Sequence, residues 1–370
     1  MNSTLLQALD DRLEAVHEQY NLHYAGQMRI TRSQRMISLL LEETGSIELQ
    51  LQQIEANGQS SERQTLLDRC EERKTLYKNE LEAIVEAVAE VGPLGVEAAI
   101  LGTRANFIFH RYRRHFAGKA RSTRDIGCLL EMIADLEAIR SEMKRLQGSV
   151  QLDSLGRDIE VVDDYHGLLT GERSEIQGAR DAGTLEERSG ILAEVANGQF
   201  QLYEVHFAGL SRVSRRPELL ERMIGQLQVV LARMEGLEQV GLHDENNRGN
   251  IATVTERVEM WRTEIEKIRE VREQTTLLSM AETLNDDAEA VLGLYNEHFA
   301  GQDRNSRNPD LLSGLCDRMG EAERQMESVG RAQRLSNNEY NLSMVRDAMT
   351  MLENEWQEIT GVNDGDDASS

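Results

Sequence analysis

The sequence predicts an all-α protein of four tandem three-helix bundles in an elongated array. Only 39% of the 370 residues are apolar and 4% are aromatic, which is too little for one large globular core. Three prolines are too few for a loop-rich or disordered chain. One motif with its flanking apolar pattern also recurs four times, and such self-similarity indicates a repeat architecture.

The repeated motif reads Tyr, two variable residues, His, an aromatic residue, Ala and Gly. Its copies begin 92, 91 and 92 residues apart, at Tyr20, Tyr112, Tyr203 and Tyr295. The spacing predicts four domains, at 1–91, 92–182, 183–275 and 276–361. An acidic, disordered tail is predicted at 362–370.

Apolar residues at alternating spacings of three and four predict three helices in each copy. In the fourth copy, the second stripe runs from Leu312 to Val329 and the third from Leu342 to Ile359. The stripe of the first helix comprises Ala281, Leu284, Ala288, Val291, Tyr295 and His298. We therefore expect the motif Tyr and His to face the core and plug the end of the bundle.

Local chemistry predicts the hairpin that follows each motif. A residue just past a helix end often needs positive φ, which glycine adopts without a steric penalty. The motif glycines fill this position: Gly26, Gly118, Gly209 and Gly301. The second helix should then begin at a cap or at a proline in its first position: Ser33, Asp125, Asn308, Pro217 and Pro309.

The three junctions between copies differ. Because 250–300 contains no Pro and Gly293 is its only Gly, we expect one unbroken helix there. Gly92-Pro93 and a glycine series are candidate hinges, the series being Gly167, Gly171, Gly178 and Gly183. The whole arrangement resembles the spectrin type of tandem three-helix repeat in architecture, and no residue roles follow from that resemblance.

Each motif is followed by two arginines, and together these residues form the candidate binding corners. The corner residues are His23, Arg29, Arg32, His115, Arg121, Arg124, His206, Arg212, Arg215, His298, Arg304 and Arg307. Two guanidinium groups beside a helix N-terminus suit a phosphate, a sulfate or a partner carboxylate. The alternative is structural, because His and Arg near a helix C-terminus stabilise its last carbonyl groups.

A basic stretch stands out in the second copy. It contains no acidic residue, and its cations are Arg104, Arg111, Arg113, Arg114 and Lys119. In a chain of net charge -24, such a patch is a candidate docking surface for an acidic partner or for another copy of the chain. The alternative is a solvated helix face whose arginines pair with neighbouring glutamates.

Charge and cysteine content exclude several classes of function. A net charge of -24 repels phosphate backbones and anionic lipid, so we predict no nucleic-acid partner and no membrane insertion. The absence of a signal-peptide pattern and the odd count of three cysteines favour the cytoplasm. The cysteines lie among core positions, at Cys70, Cys128 and Cys316.

The function predicted from these features is a non-enzymatic scaffold. We expect regularly spaced equivalent surfaces that serve protein-protein interaction or self-assembly. The alternative is an anion or small-ligand binding module built on the corners. No metal site and no cofactor are expected, because metal-ligand pairs of His or Cys are missing. No nucleophile with a base, phosphate-binding glycine loop or catalytic carboxylate pair can be singled out, so we predict no enzyme activity.

Overall fold

A computed structural model describes residues 2–54, 61–148, 153–302 and 306–361. These residues form α-helices, two short 3-10 turns and no strand, which confirms the all-α class. The helices are α1 (Asn2–Tyr24), α2 (Gln34–Gln53), α3 (Ser61–Phe116), α4 (Ile126–Gln147), α5 (Asp153–Asp181), α6 (Leu185–Phe207), α7 (Pro217–Gln239), α8 (Glu245–Glu273), α9 (Leu277–His298), α10 (Pro309–Ala332) and α11 (Ser336–Thr360). The predicted tail at 362–370 and the corner residue Arg304 lie outside the described residues.

The hairpin after each motif has the predicted chemistry. All four motif glycines have positive φ, between 65° and 75°. Ser33 accepts a hydrogen bond from the backbone N–H of Met36, and Asp125 accepts from Gly127 and Cys128. Asn308 caps α10 in the same way, while Pro217 occupies the first position of α7. The predicted starts of the second helices are therefore confirmed.

Two of the predicted candidate hinges coincide with breaks in helical structure. Within α3, Gly92 has φ 72° and ψ 173°, so the helix is two segments that meet just before Pro93. Gly183, with φ 92°, separates α5 from α6. The other three glycines of that series lie inside α5. With α3 counted as two segments, three helices follow one another in each copy.

The unbroken helix predicted over 250–300 is wrong. α8 ends at Glu273 and α9 begins at Leu277. The Thr275 hydroxyl donates to the carbonyl of Val271 at 2.7 Å, and the Thr276 hydroxyl accepts from the Ser279 N–H at 3.1 Å. Threonine side chains that bond the nearby backbone compete with the helix and can cap a new one. The absence of Gly and Pro from 250–292 was therefore not sufficient for continuity.

Copies one and three each have a core shared by three helices. In copy three, Leu227 of α7 and Trp261 of α8 belong to one cluster with Val195 of α6. In copy one, the corresponding cluster joins α1, α2 and the first segment of α3. A fully buried Leu or Phe side chain contributes about 1.5–3 kcal/mol, so these clusters are the main source of stability. The three cysteines are buried, as predicted.

Contacts divide the chain into two compact units that do not follow the four predicted domains. Unit 1 comprises Met1–Ile100, Ala288–Glu323 and Glu339–Ser370, and unit 2 comprises Leu101–Asp287 and Arg324–Asn338. Unit 1 thus draws on the first and fourth copies, while unit 2 holds most of the second and third.

The first and fourth copies contact each other directly within unit 1. The side-chain amide of Asn354 donates to the backbone carbonyls of Leu22 and Ala25. His23 Nδ1 lies 3.0 Å from the carbonyl oxygen of Asp347. These contacts join α1 to α11 within unit 1.

Candidate functional site

The motif histidines are not uniformly part of the core, contrary to the predicted stripe. His23 and His206 are buried, His115 is half-buried and His298 is exposed. The next residue of each motif is buried instead: Tyr24, Phe116, Phe207 and Phe299. On an α-helix a step of four residues rotates by about 40°, whereas a step of three rotates by about 60° the other way. The aromatic residue therefore stays closer to the line of the motif tyrosine.

His23 has a particular role within unit 1. Its contact with the Asp347 carbonyl requires a proton on Nδ1, because a carbonyl oxygen can only accept. Burial lowers the pKa of His23 to about 4, partly offset by that hydrogen bond. The side chain is therefore neutral at physiological pH and acts as a donor between α1 and α11.

Each corner contains a buried glutamate from the third helix of its copy. These residues are Glu80, Glu172, Glu264 and Glu355. The second arginine of each corner, which we call the inner arginine, forms an ion pair with that glutamate. The pairs join Arg32 to Glu80 at 2.7 Å, Arg124 to Glu172 at 2.6 Å, Arg215 to Glu264 at 2.5 Å, and Arg307 to Glu355. One ion pair therefore recurs in all four copies.

The inner arginine also closes the hairpin loop. In each copy its Nε donates to the backbone carbonyl oxygen five residues earlier in the chain. The accepting residues and distances are Gln27 at 3.2 Å, Lys119 at 3.2 Å, Leu210 at 3.0 Å and Gln302 at 3.2 Å. A single guanidinium thus ties the loop after the first helix to the third helix.

The first arginine of each pair, which we call the outer arginine, contacts the same glutamate from the solvent side. The Nε to Oε1 distances are 3.4 Å for Arg29, 3.3 Å for Arg121 and 2.9 Å for Arg212. Their side chains are 52%, 50% and 45% exposed. Three corners therefore present a half-exposed guanidinium in the same geometry.

The electrostatics of the third corner explain why a buried carboxylate is tolerated. Burial alone would raise the pKa of Glu264, but the hydrogen bond from Arg212 and the charges of Arg212 and Arg215 lower it overall. A buried charge is costly unless it is paired and hydrogen-bonded, and this one is both. The corner already holds an anion that the protein itself supplies. These contacts favour the structural interpretation of the corners over binding of an external anion.

Sequence reasoning missed the corner glutamates, although a signal was present. Each lies 60 or 61 residues after its motif tyrosine and four residues before an isoleucine: Ile84, Ile176, Ile268 and Ile359. A glutamate at a fixed place beside an apolar stripe, repeated in every copy, indicates a polar partner for repeated arginines. The apolar stripe alone could not reveal it.

The predicted basic patch is not a continuous surface. Arg111, Arg113 and Arg114 are buried, and Arg111 pairs with the buried Glu131 at 3.0 Å. Arg104 pairs with Glu327 at 3.1 Å, which leaves Lys119 as the exposed member without an ion pair among the described residues. The three central arginines therefore do not lie on a solvated surface, and an acidic residue on another helix reaches Arg111.

Glu131 is the centre of an arginine cluster in unit 2. Besides Arg111, both Arg216 and Arg222 contact its carboxylate. Burial opposes ionisation of Glu131, yet Arg111 and its neighbours hold the pKa well below its usual range. This cluster joins the second and third copies within unit 2.

The described residues show neither a metal-ligand cluster nor a membrane-spanning helix. No group of three or more His, Cys, Asp or Glu lies close enough there to hold a metal ion. No helix in the described ranges combines the length and apolar character that crossing a membrane requires. No family model matches the chain, and neither a curated protein nor a solved structure matches it.

Proposed function

We propose that this protein is a non-enzymatic cytoplasmic scaffold that presents equivalent surfaces for a protein partner or for self-association. The observation that carries the proposal is the repetition of the outer arginine. Arg29, Arg121 and Arg212 each contact a buried glutamate and are each about half exposed. The three corners therefore offer a half-exposed guanidinium on a buried glutamate, and Arg121 pairs with Glu175 as well.

The setting of the outer arginine suits recognition of a protein surface. Arginine is among the residues that contribute most to binding at protein interfaces. In Arg29 and Arg212 the terminal nitrogen that does not contact the corner glutamate can donate to a partner carboxylate. The glutamate already restricts the side chain, so less conformational entropy is lost when a partner binds. Several equal sites on one chain can also bind a multivalent partner more tightly than one site does.

Removing the three outer arginines together should abolish partner binding. We expect the triple variant Arg29→Gln, Arg121→Gln and Arg212→Gln to lose the proteins that the intact chain retains from its native host. Single variants should lose only part, because each corner contributes separately. Quantitative affinity capture, with sedimentation velocity of the pure protein for self-association, measures both effects.

A matched control separates the corners from a general effect of charge. Arg145, Arg262 and Arg269 are exposed and form no part of a corner ion pair, so their triple replacement by Gln changes the net charge equally. We expect this control to retain the same partners as the unmodified chain. Equal retention by the corner variant and the control, with helix content unchanged in both, would contradict the proposal.

A further inference from the structure

A cleft in unit 2 that is not lined by any of the corner glutamates combines cationic and apolar walls. Its volume is about 570 Å³, within the range of about 300–1,000 Å³ typical of small-molecule sites. Arg173 and Arg180 of α5 and Arg233 of α7 line it. Three guanidinium groups around one cleft are unexpected in a chain of net charge -24.

Arg180 is the most deeply placed of the three cations. It is only 8% exposed, and it donates from Nε to the Ser122 carbonyl at 2.9 Å and from a terminal nitrogen to the Arg124 carbonyl at 2.7 Å. These two carbonyls orient the guanidinium but leave its second terminal nitrogen for a ligand. Among the described residues, no carboxylate forms an ion pair with Arg180.

The other charges around the cleft leave an excess of positive charge. Arg233 pairs with Asp181 at 3.5 Å, and Gln177 also donates to that carboxylate. Arg173 is exposed and has no ion pair in the described part of the chain. Burial lowers the pKa of Arg180, the charge of Asp125 opposes this, and Arg233 adds to the lowering. Asp125 itself is engaged, since it caps α4 and accepts from Gln199.

Apolar side chains form part of the remaining wall of the cleft, which also includes Ser174, Gln177 and Gln226. Leu192 of α6 and Val230 of α7 are buried there, while Val229 is 59% exposed beside them. A bare inorganic ion would leave this wall in contact with water. A ligand with an apolar body would cover it and gain the corresponding hydrophobic free energy.

We propose that this cleft binds a small organic phosphate monoester, with its phosphate on Arg173, Arg180 and Arg233 and its apolar body on Leu192, Val229 and Val230. Two of the guanidinium charges lack an ion pair, and a phosphate monoester carries close to two negative charges at neutral pH. Arginine also matches the geometry of phosphate through paired N–H donors. Charge, geometry and the apolar wall thus select the same ligand class.

Phenyl phosphate is the probe that tests this assignment. Titration calorimetry on the full chain at low salt should show one site that binds phenyl phosphate more tightly than inorganic phosphate or benzoate. We expect Arg173→Gln and Arg233→Gln each to weaken binding about tenfold, because each removes a charge-assisted contact. Binding should weaken as salt is raised, since the cleft is open to solvent.

Arg262→Gln is the matched control, because it removes an exposed arginine of the same unit away from the cleft. It should bind phenyl phosphate as the unmodified protein does. Equal weakening in the control would show a general charge effect and overturn the site. No measurable binding of phenyl phosphate at millimolar concentration would overturn it as well. Tighter binding of benzoate would exclude the phosphate class.

Discussion

Replacing Arg307 by Met should destabilise unit 1 by about 3–5 kcal/mol. The Arg307 side chain is 3% exposed, and its partner Glu355 is fully buried. The variant removes the cation that offsets a buried carboxylate and also opens the loop contact with Gln302. Loss of one member of a buried ion pair is more damaging than loss of both.

Single-tryptophan variants measure this effect unit by unit. The chain has two tryptophans, with Trp356 in unit 1 and Trp261 in unit 2. In a Trp261→Phe background, urea unfolding followed by fluorescence therefore reports unit 1. Far-UV circular dichroism serves as the second probe, because Trp356 adjoins Glu355 in sequence.

A double variant provides the control for the ion pair. With Met at both 307 and 355, unit 1 should recover much of the lost stability, because no charge is then buried alone. The free energy of unfolding of unit 1 should fall with urea concentration at the same slope in the Arg307→Met variant as in the unmodified chain, if the transition stays two-state. If the Arg307→Met protein is as stable as the unmodified chain, the inner arginine does not stabilise the corner by tying its loop to the third helix.

Two groups in unit 1 should make stability respond to pH in opposite directions. Burial raises the pKa of Asp347 to about 7, although Ser33, Arg346 and Arg35 oppose the shift. The native state therefore binds this proton more tightly than the unfolded chain, and its contribution to stability falls as pH rises from about 4 to 7. His23, with its pKa lowered to about 4, contributes stability that is lost as pH falls from 6.5 to 4.

Single replacements should expose the two opposing slopes. Asp347→Asn should stabilise unit 1 by about 4 kcal/mol at pH 8 and by little at pH 4, because the pKa is raised from 3.8 to about 7 and each unit corresponds to about 1.4 kcal/mol. His23→Asn keeps an N–H donor and should make stability decline from pH 4 to 7. Urea unfolding at pH 4, 7 and 8, in the Trp261→Phe background, measures how the stability of each variant changes with pH. Parallel pH profiles in the two variants would refute the assignment.

The helical class could be predicted because it depends on local spacing. Alternating steps of three and four apolar residues, positive-φ glycines and side-chain caps act within a few residues. The break before Leu277 is also local, but it depends on threonine hydroxyls that compete with the helix. The predicted breaks at Gly92 and Gly183 were found because glycine marks them directly in sequence.

The corner chemistry could be predicted only in part. The repeated arginines are visible in sequence, whereas Glu264 lies 52 residues after Arg212 and pairs with it only when α8 packs against the loop. The same reason applies to Arg111, whose partner Glu131 lies on another helix. Distant carboxylates change an apparent surface cation into a buried structural group. Spacing along the chain does not carry that information by itself.

The contact between α1 and α11 affects how the chain is made. Asp347 follows His23 by 324 residues, so the ribosome adds this partner of the first helix long after the helix itself. At about 5–20 residues per second, synthesis of the intervening stretch takes tens of seconds. During that interval the backbone carbonyls of Leu22 and Ala25 cannot accept the hydrogen bonds from Asn354. Unit 2 is nearly contiguous in sequence and can become native first, whereas unit 1 closes only after α11 has been made.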